Sequence, residues 1–389
     1  MLNLKKSEFF SIVIWMNMPS HHQQAFFEAL GNRNRIKLQI RFYDKVSMSR
    51  IKLGWDNHST LPENQSYIPN RNVMDALGTI SNWKKCVHIV PGFSHPFLKE
   101  LLAILIEKDV NWIHWSERSG KPFSKLLNYN YSLVKLIYPI FLWIKGYYSY
   151  SKKINKYGLG SFAVSSLAYN DFILWGVKSE KIRLLNYSLK PLIDLPTLKF
   201  DSFIEKNKQV KYFIYVGSLT KHKGIEPLLR SFSRLKNSEG WMLILVGDDH
   251  SNGYYKKLTD ALKLKSKVYF TGAVNHKKVL EYINSAHILI LPTLFDGWGA
   301  VLNEAASLSK PLISTDQCGA AFHLIEQNKN GFRVKANSVK SLTIAMQFYI
   351  DNPDLIGLHG KKSLELFQKN SPEETAKKFE ENILELLAI

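Results

Sequence analysis

Residues 212–216 read Tyr-Phe-Ile-Tyr-Val and run into Gly217-Ser218-Leu219-Thr220-Lys221-His222-Lys223-Gly224, after which Ile225, Leu228, Leu229, Phe232 and Leu235 recur at helical spacing. A short unbroken apolar run that ends at glycine and is followed by an amphipathic period reads as strand, loop, helix. The unit repeats downstream. Met242–Val246 precedes a helix predicted over Tyr254–Leu264, Val268–Thr271 one over Lys277–Ala286, and Ile288–Leu291 one over Val301–Ser309, with Leu312–Ser314 as a further strand. Apolar strands alternating with helices make an α/β domain whose parallel sheet is covered on both faces.

Working toward the amino terminus, the theme is less regular. Strands are predicted at Ile12–Met16, Leu38–Phe42, Cys86–Val90, Trp112–Trp115, Phe162–Val164 and Ile182–Leu185, and helices at Ser20–Leu30, Pro96–Ile106 and Leu167–Trp175. Lys190–Lys208 carries Pro191 and Pro196 and has no clear period, so it is expected to be the linker. A chain of 389 residues exceeds what one core usually organises. The expected division is a Rossmann-like domain over 1–195, a second over 196–370, and a helix in 371–389 packing back toward the first. Ser371 as N-cap, Pro372 at the first helical position and Glu373 and Glu374 in the first turn open that helix.

Composition excludes several classes. With 45% apolar and 22% charged residues the chain is neither disordered nor collagen-like, and two cysteines, Cys86 and Cys318, cannot build a disulfide framework. The charge is uneven: residues 1–200 hold 27 Lys and Arg against 13 Asp and Glu, the remainder 25 against 20, so an anionic partner is expected to meet the first half. Phe9–Met18 is interrupted by Ser11 and Asn17 and reads as a strand, not a signal peptide. Leu133–Ile144 contains Lys135 and Pro139 and falls short of the roughly 20 residues that span hydrocarbon, so no transmembrane helix is expected.

In an open parallel sheet, ligands bind beyond the carboxyl ends of the strands, which selects three loops. Gly217–Gly224 opens a helix and brings Lys221 and Lys223, a setting for a phosphate and equally for a plain turn with solvated lysines. Gly247-Asp248-Asp249 allows close approach to a ligand, while its acids serve as well to cap the next element. The third, Pro292-Thr293-Leu294-Phe295-Asp296-Gly297-Trp298-Gly299, leads into a helix in which Glu304 is set among Val301, Leu302, Ala305, Ala306 and Leu308. If buried, that carboxylate needs a partner or a hydroxylated ligand, since burying it alone costs several kcal/mol.

The ordered set GSLTKHKG, VGDD, TG, PTLFDGWGAVLNEAASLSKP and Asn330-Gly331 resembles the donor domain of the family-four retaining glycosyltransferases, enzymes of the GT-B fold in which two Rossmann-like domains face across a cleft. The resemblance covers about Tyr212 to Val334. Asp296 and Glu304 match the family's pair of carboxylates eight residues apart, with Asp in the first place, and Lys223 matches its loop lysine. The resemblance implies a nucleotide diphospho-sugar donor as substrate, with no metal or other cofactor. Gly217, Ser218, Lys221, Lys223 and Gly247 would line the diphosphate, Asp296 with the Gly297, Trp298 and Gly299 amides the sugar, and Glu304 the ribose. Asp296 and Lys223 are the implied catalytic groups. Ser218 stands where the family has an arginine, and Pro19-Ser20-His21-His22-Gln23 replaces its usual glycine pair.

Between Arg118 and Asn170 there is no Asp or Glu, while Lys121, Lys125, Lys135, Lys145, Lys152, Lys153 and Lys156 interleave with Tyr129, Tyr131, Tyr138, Phe141, Trp143, Tyr147, Tyr148 and Tyr150. Such a segment fits an anionic membrane face, each lysine adding about 1 kcal/mol, and fits a buried helix with a solvated lysine side. The chain has no nucleic-acid reader motif, so no nucleic acid is expected as a partner. His21, His22, His88, His95, His114 and Glu117 lie near first-half strand ends, and Glu117 and His114 are the candidates for an acceptor-side base. The expected activity is hexosyl transfer to a glycan or lipid-linked acceptor in bacterial surface polysaccharide or lipopolysaccharide synthesis, at the cytoplasmic face of the membrane. The alternatives are another GT-B chemistry, such as a nucleotide-sugar epimerase, or a non-catalytic binding protein.

Overall fold

A computed structural model describes residues 9–52, 60–118, 140–192 apart from 142 and 145, and 209–389. The chain divides into two compact units, one of residues 1–51, 56–190 and 372–389, the other of residues 52–55 and 191–371.

The first unit runs β1 (Phe10–Met16), α1 (His21–Gly31), β2 (Ile36–Phe42), α2 (Met48–Lys52), β3 (Gln65–Tyr67), α3 (Val73–Gly78), β4 (Val87–Val90), α4 (Pro96–Glu107), β5 (Trp112–Ser116), α5 (Lys152–Tyr157), β6 (Gly160–Ala163), α6 (Ser166–Leu174) and β7 (Ile182–Leu184). All strand pairs are parallel, in the order β3-β2-β1-β4-β5-β6-β7. The central strand β1 is apolar from Ile12 to Met16 because both of its faces are covered: Ile12, Val13, Ile14 and Trp15 are all fully buried. β3 and α3 escape the apolar-run reading. The strand is a three-residue edge with no hydrophobic run, and the helix starts on Asn72, whose side chain accepts from the Asp75 N–H.

The second unit runs β8 (Lys211–Val216), α7 (Ile225–Phe232), β9 (Trp241–Val246), α8 (Tyr254–Ala261), β10 (Val268–Gly272), α9 (His276–Ser285), β11 (Ile288–Leu291), α10 (Val301–Ser307), β12 (Leu312–Thr315), α11 (Ala321–Leu324), β13 (Gly331–Val334), α12 (Val339–Asp351) and α13 (Leu355–Gln368). Its parallel sheet has the order β10-β9-β8-β11-β12-β13. From β8 the chain winds outward through β9 and β10, and from β11 it winds the other way. The loops after β8 and β11 therefore diverge at a topological switch point, the place in this architecture where a crevice opens.

The last helix, α14 (Pro372–Leu387), belongs to the first unit. Its buried positions Thr375, Ala376, Phe379, Glu380, Ile383 and Leu386 repeat at three and four residues, as an amphipathic helix requires. Phe379 packs on Phe26 of α1 and Phe162 of β6 with ring centroids 5.8 and 5.3 Å apart. Glu380 is held by Arg33 at 2.7 Å and Arg35 at 3.8 Å. Among the described residues no helix is long and apolar enough to cross a membrane. Most of Leu133–Ile144 and the linker stretch 193–208 lie outside the described residues.

Candidate functional site

Three loops at the switch point of the second sheet are stitched to one another by their backbones. The Leu219 N–H donates to the Asp248 carbonyl (2.8 Å) and His250 returns a bond to Leu219 (3.2 Å), joining the loops after β8 and β9. Gly247 makes this approach possible: at φ +143°, a Cβ there would lie 2.0 Å from the Gly217 carbonyl oxygen. The His222 carbonyl accepts from Leu294 N–H (2.7 Å) and from the Thr293 hydroxyl (3.2 Å), tying the first loop to the one after β11. Gly224 (φ +73°) closes that junction, because a Cβ on it would sit 2.0 Å from the Pro292 carbonyl oxygen. The loop after β12 completes the set through Asp296 N–H to Gln317 and Gly319 N–H to Asp296.

This stitching brings together residues that lie 73 apart in sequence. The Lys223 ammonium donates to Asp296 Oδ2 at 2.5 Å, with side chains 22% and 16% exposed, so the pair is shielded yet reachable. Ser218 and Lys221 are exposed on the same loop, and the Ser218 carbonyl accepts from the buried Tyr215 hydroxyl (2.9 Å). Asp249 accepts from the Ser251 N–H and hydroxyl at 2.8 and 2.5 Å, which is turn-capping work.

Gly297 and Gly299 are buried, and among the described residues their N–H groups have no acceptor, as a ligand-facing turn would leave them. The Trp298 side chain is built into the fold. It is 2% exposed, donates Nε1–H to Asn303 (2.8 Å) and stacks on His323, and the Cys318 thiol donates to its carbonyl. Burial pushes that thiol up to about 12, aided by the nearby Asp296 charge, so Cys318 stays protonated and serves as a donor.

Glu304, in the first turn of the apolar helix α10, is 5% exposed, so it does not face solvent. It meets His276 Nε2 at 3.0 Å. Sequence reading missed His276. Asn275 gives a visible helix-start signal, since its side chain accepts from the Lys278 N–H, but nothing local marks the next residue as a partner for a carboxylate 28 positions on.

The acceptor-side candidates lie in the first unit. His114 is corrected from candidate base to core residue. It is fully buried on β5, packed against Phe93, Tyr150 and Phe172, with Nδ1 2.9 Å from the Ser161 hydroxyl. Burial depresses its basicity to about 3. His88 is likewise buried, accepting from Trp15 Nε1–H (3.0 Å) and donating Nε2–H to the Trp83 carbonyl (2.9 Å). Glu117 is partly exposed and hydrogen-bonded to Tyr187, whose phenol is held well above its usual value by burial and then by Glu117.

Two parallel, doubly wound sheets, with interlocked polar loops at the switch point of the second, define a GT-B protein. The crystal structure of Anabaena HepE in complex with UDP and glucose superposes on it with a TM-score of 0.69 at 13% identity, over 96% of this chain and 99% of that one. Residues 198–378 match the family described as glycosyl transferases group 1. An uncharacterised glycosyltransferase of Methanocaldococcus jannaschii is 27% identical over 175 residues, 43% of this chain and 45% of that protein. The O-antigen chain mannosyltransferase RfbU of Salmonella typhimurium is 25% identical over 182 residues, 47% of this chain and 48% of its own length. The matches thus span somewhat less than half of each of these curated relatives.

Proposed function

We propose that the protein is a retaining glycosyltransferase that moves a hexose from a nucleotide diphospho-sugar to a glycan or lipid-linked acceptor in bacterial surface polysaccharide or lipopolysaccharide synthesis. The observation that carries this reading is the Lys223–Asp296 contact at the switch point, with both residues partly exposed on loops that the backbone locks together. O-antigen mannosyl transfer by a relative and UDP in a protein of the same fold agree with it.

In this reading Lys223 is oriented by Asp296 before the donor arrives. Its ammonium, with Lys221, stabilises the negative charge that grows on the departing diphosphate, and because the charge is already placed no reorganisation is needed when the bond breaks. Asp296 and the amides of Gly297, Trp298 and Gly299 hold the sugar, Gly217, Ser218 and Gly247 line the diphosphate, and Glu304 accepts from the ribose. No metal enters the proposal. Glu117 is the acceptor-side base that remains once His114 is assigned to the core.

A membrane-linked acceptor is supported by the described part of the basic segment. Ile140, Phe141, Trp143, Ile144 and Tyr148 are 45–60% exposed, and Lys152 lies 5.3 Å over the Tyr148 ring. Apolar and aromatic side chains exposed beside lysines suit the headgroup region of an anionic bilayer, which supports a peripheral position on the inner face of the cytoplasmic membrane. Residues 119–139 of that segment lie outside the described residues.

Titrating the full chain with a panel of UDP- and GDP-sugars tests the core of the reading. Saturable binding and slow donor hydrolysis are expected, and failure to bind every nucleotide sugar sinks it. Co-sedimentation with phosphatidylglycerol vesicles, absent with phosphatidylcholine alone, tests the membrane part.

A further inference from the structure

Lys223 and Asp296 carry opposite charges on two loops that the backbone already ties together, and each is the other's only ion-pair partner among the described residues. The ammonium uses one of its three hydrogens on Oδ2, which leaves two for a ligand. The two side chains cannot drift far apart. The Asp296 backbone is held on both sides, its N–H donating to the Gln317 carbonyl (3.0 Å) and its carbonyl accepting from the Gly319 N–H (3.2 Å), while the Lys223 N–H donates to the Thr220 carbonyl (3.1 Å).

A short acid fixed in this way faces whatever the lysine binds. A phosphate oxygen that takes a second hydrogen of the ammonium lies two hydrogen-bond lengths from Oδ2, under about 6 Å, where like charges in a partly shielded site repel. That repulsion differs between donor and product. In a nucleotide diphospho-sugar the outer phosphate is an ester with about one negative charge, and the sugar's hydroxyls can donate to the carboxylate. When the bond from the anomeric carbon breaks, its electron pair stays on the phosphate oxygen. The phosphate is then terminal, its charge rises to between about 1.5 and 2 at pH 7, and no sugar hydroxyl covers the acid. We infer that Asp296 weakens the hold of Lys223 on the bare nucleoside diphosphate and so favours its release after transfer. The inference rests on the donor-site reading above and gives the acid a second role, exerted once the sugar has gone.

Calorimetric titration of the full chain with UDP and with GDP tests it. Asp296→Asn keeps an oxygen for the ammonium but removes the charge, and it should bind the nucleotide about tenfold tighter than the native protein, or more. An acid that only anchored the lysine would give the opposite sign, since its loss would weaken binding or leave it alone. Asp296→Glu keeps the charge and should stay within about threefold of the native affinity. If Asp296→Asn proves unfolded by circular dichroism, Asp296→Ala carries the same expectation. Equal or weaker binding by the neutral variant overturns the inference, as does a matching gain in Asp296→Glu, which would make shape and not charge the cause. Absence of nucleotide binding in the native protein and the neutral variant alike instead overturns the donor reading.

Discussion

The two units share one architecture and use the ends of their strands differently. In the first sheet, titratable side chains near the switch between β1 and β4 are sealed into aromatic packing: His88 is satisfied on both nitrogens and His114 sits among three rings. In the second, Lys223, Asp296 and Glu304 lie on loops and a helix that hydrogen bonds lock in place, with Lys223 and Asp296 left partly exposed. Burial of an ionisable group near a strand end is therefore a poor guide to function by itself. What separates His88 and His114 from Lys223 and Asp296 is whether the group pairs with an ionisable partner that a ligand can still reach.

The largest expected effect bears on that distinction. Lys223→Ala removes the charge at the switch point and should lower transfer, or donor hydrolysis, by about a hundredfold or more while the fold persists. His114→Gln should leave turnover within about threefold, because no donor group touches that core. Equal losses in both variants, each shown folded by circular dichroism, would erase the contrast between the units. Next in size is Gly224→Ala. Its Cβ would strike the Pro292 carbonyl at a positive φ, so urea unfolding should report a loss of about 2 kcal/mol or more. Gly78→Ala in α3 of the first unit meets nothing within 4 Å and should be neutral to slightly stabilising.

Legibility in the sequence follows the same divide. The second sheet could be read because the strands β8 to β11 are mainly apolar runs that end at or run into glycine or proline, and the site because its loop residues sit at those ends. The reading fell short where structure depends on partners distant in sequence. β13 begins at Asn330-Gly331 with only four residues and pairs with β12. α12 carries Leu342, Ala345, Met346 and Tyr349 at ordinary helical spacing, a period that the sequence reading passed over. His276 gains meaning only from Glu304. His114 misled because proximity to a strand end is visible in sequence, whereas the rings that bury it come from Phe93, Tyr150 and Phe172 on separate elements.

The buried histidines make a prediction about pH. Burial depresses His114 to about 3 and His88 to about 4, so in acid the unfolded chain takes up protons that the folded chain refuses. Their contribution is complete above the unfolded value near 6.5 and erodes as pH falls below it, by about 1.4 kcal/mol per pH unit for each ring. Unfolding free energy should therefore drop by about 2 kcal/mol per histidine between pH 7 and pH 5. His114→Gln, whatever its effect at pH 7, should flatten the slope by one ring's share. A slope unchanged in that variant would mean that His114 titrates normally and that the first unit is less tightly sealed than its packing indicates.

The smallest effect belongs to α14, whose charges serve packing and not a ligand. Glu385 meets Arg183 at 2.7 Å but is 59% exposed, and Arg183 is also held by the carbonyls of Glu180 and Ile182. Removing the Glu385 charge leaves the arginine anchored and solvated, so Glu385→Gln should cost under about 0.5 kcal/mol and less still in high salt. On the same helix Glu380 is 7% exposed between Arg33 and Arg35, and Glu380→Gln should cost about 2 kcal/mol, because the lost interactions are shielded from water. Both variants should leave nucleotide binding unchanged. A drop in binding on either would tie this helix to the donor site, and the separation drawn here between polar groups that hold the fold and polar groups that hold a ligand would fail.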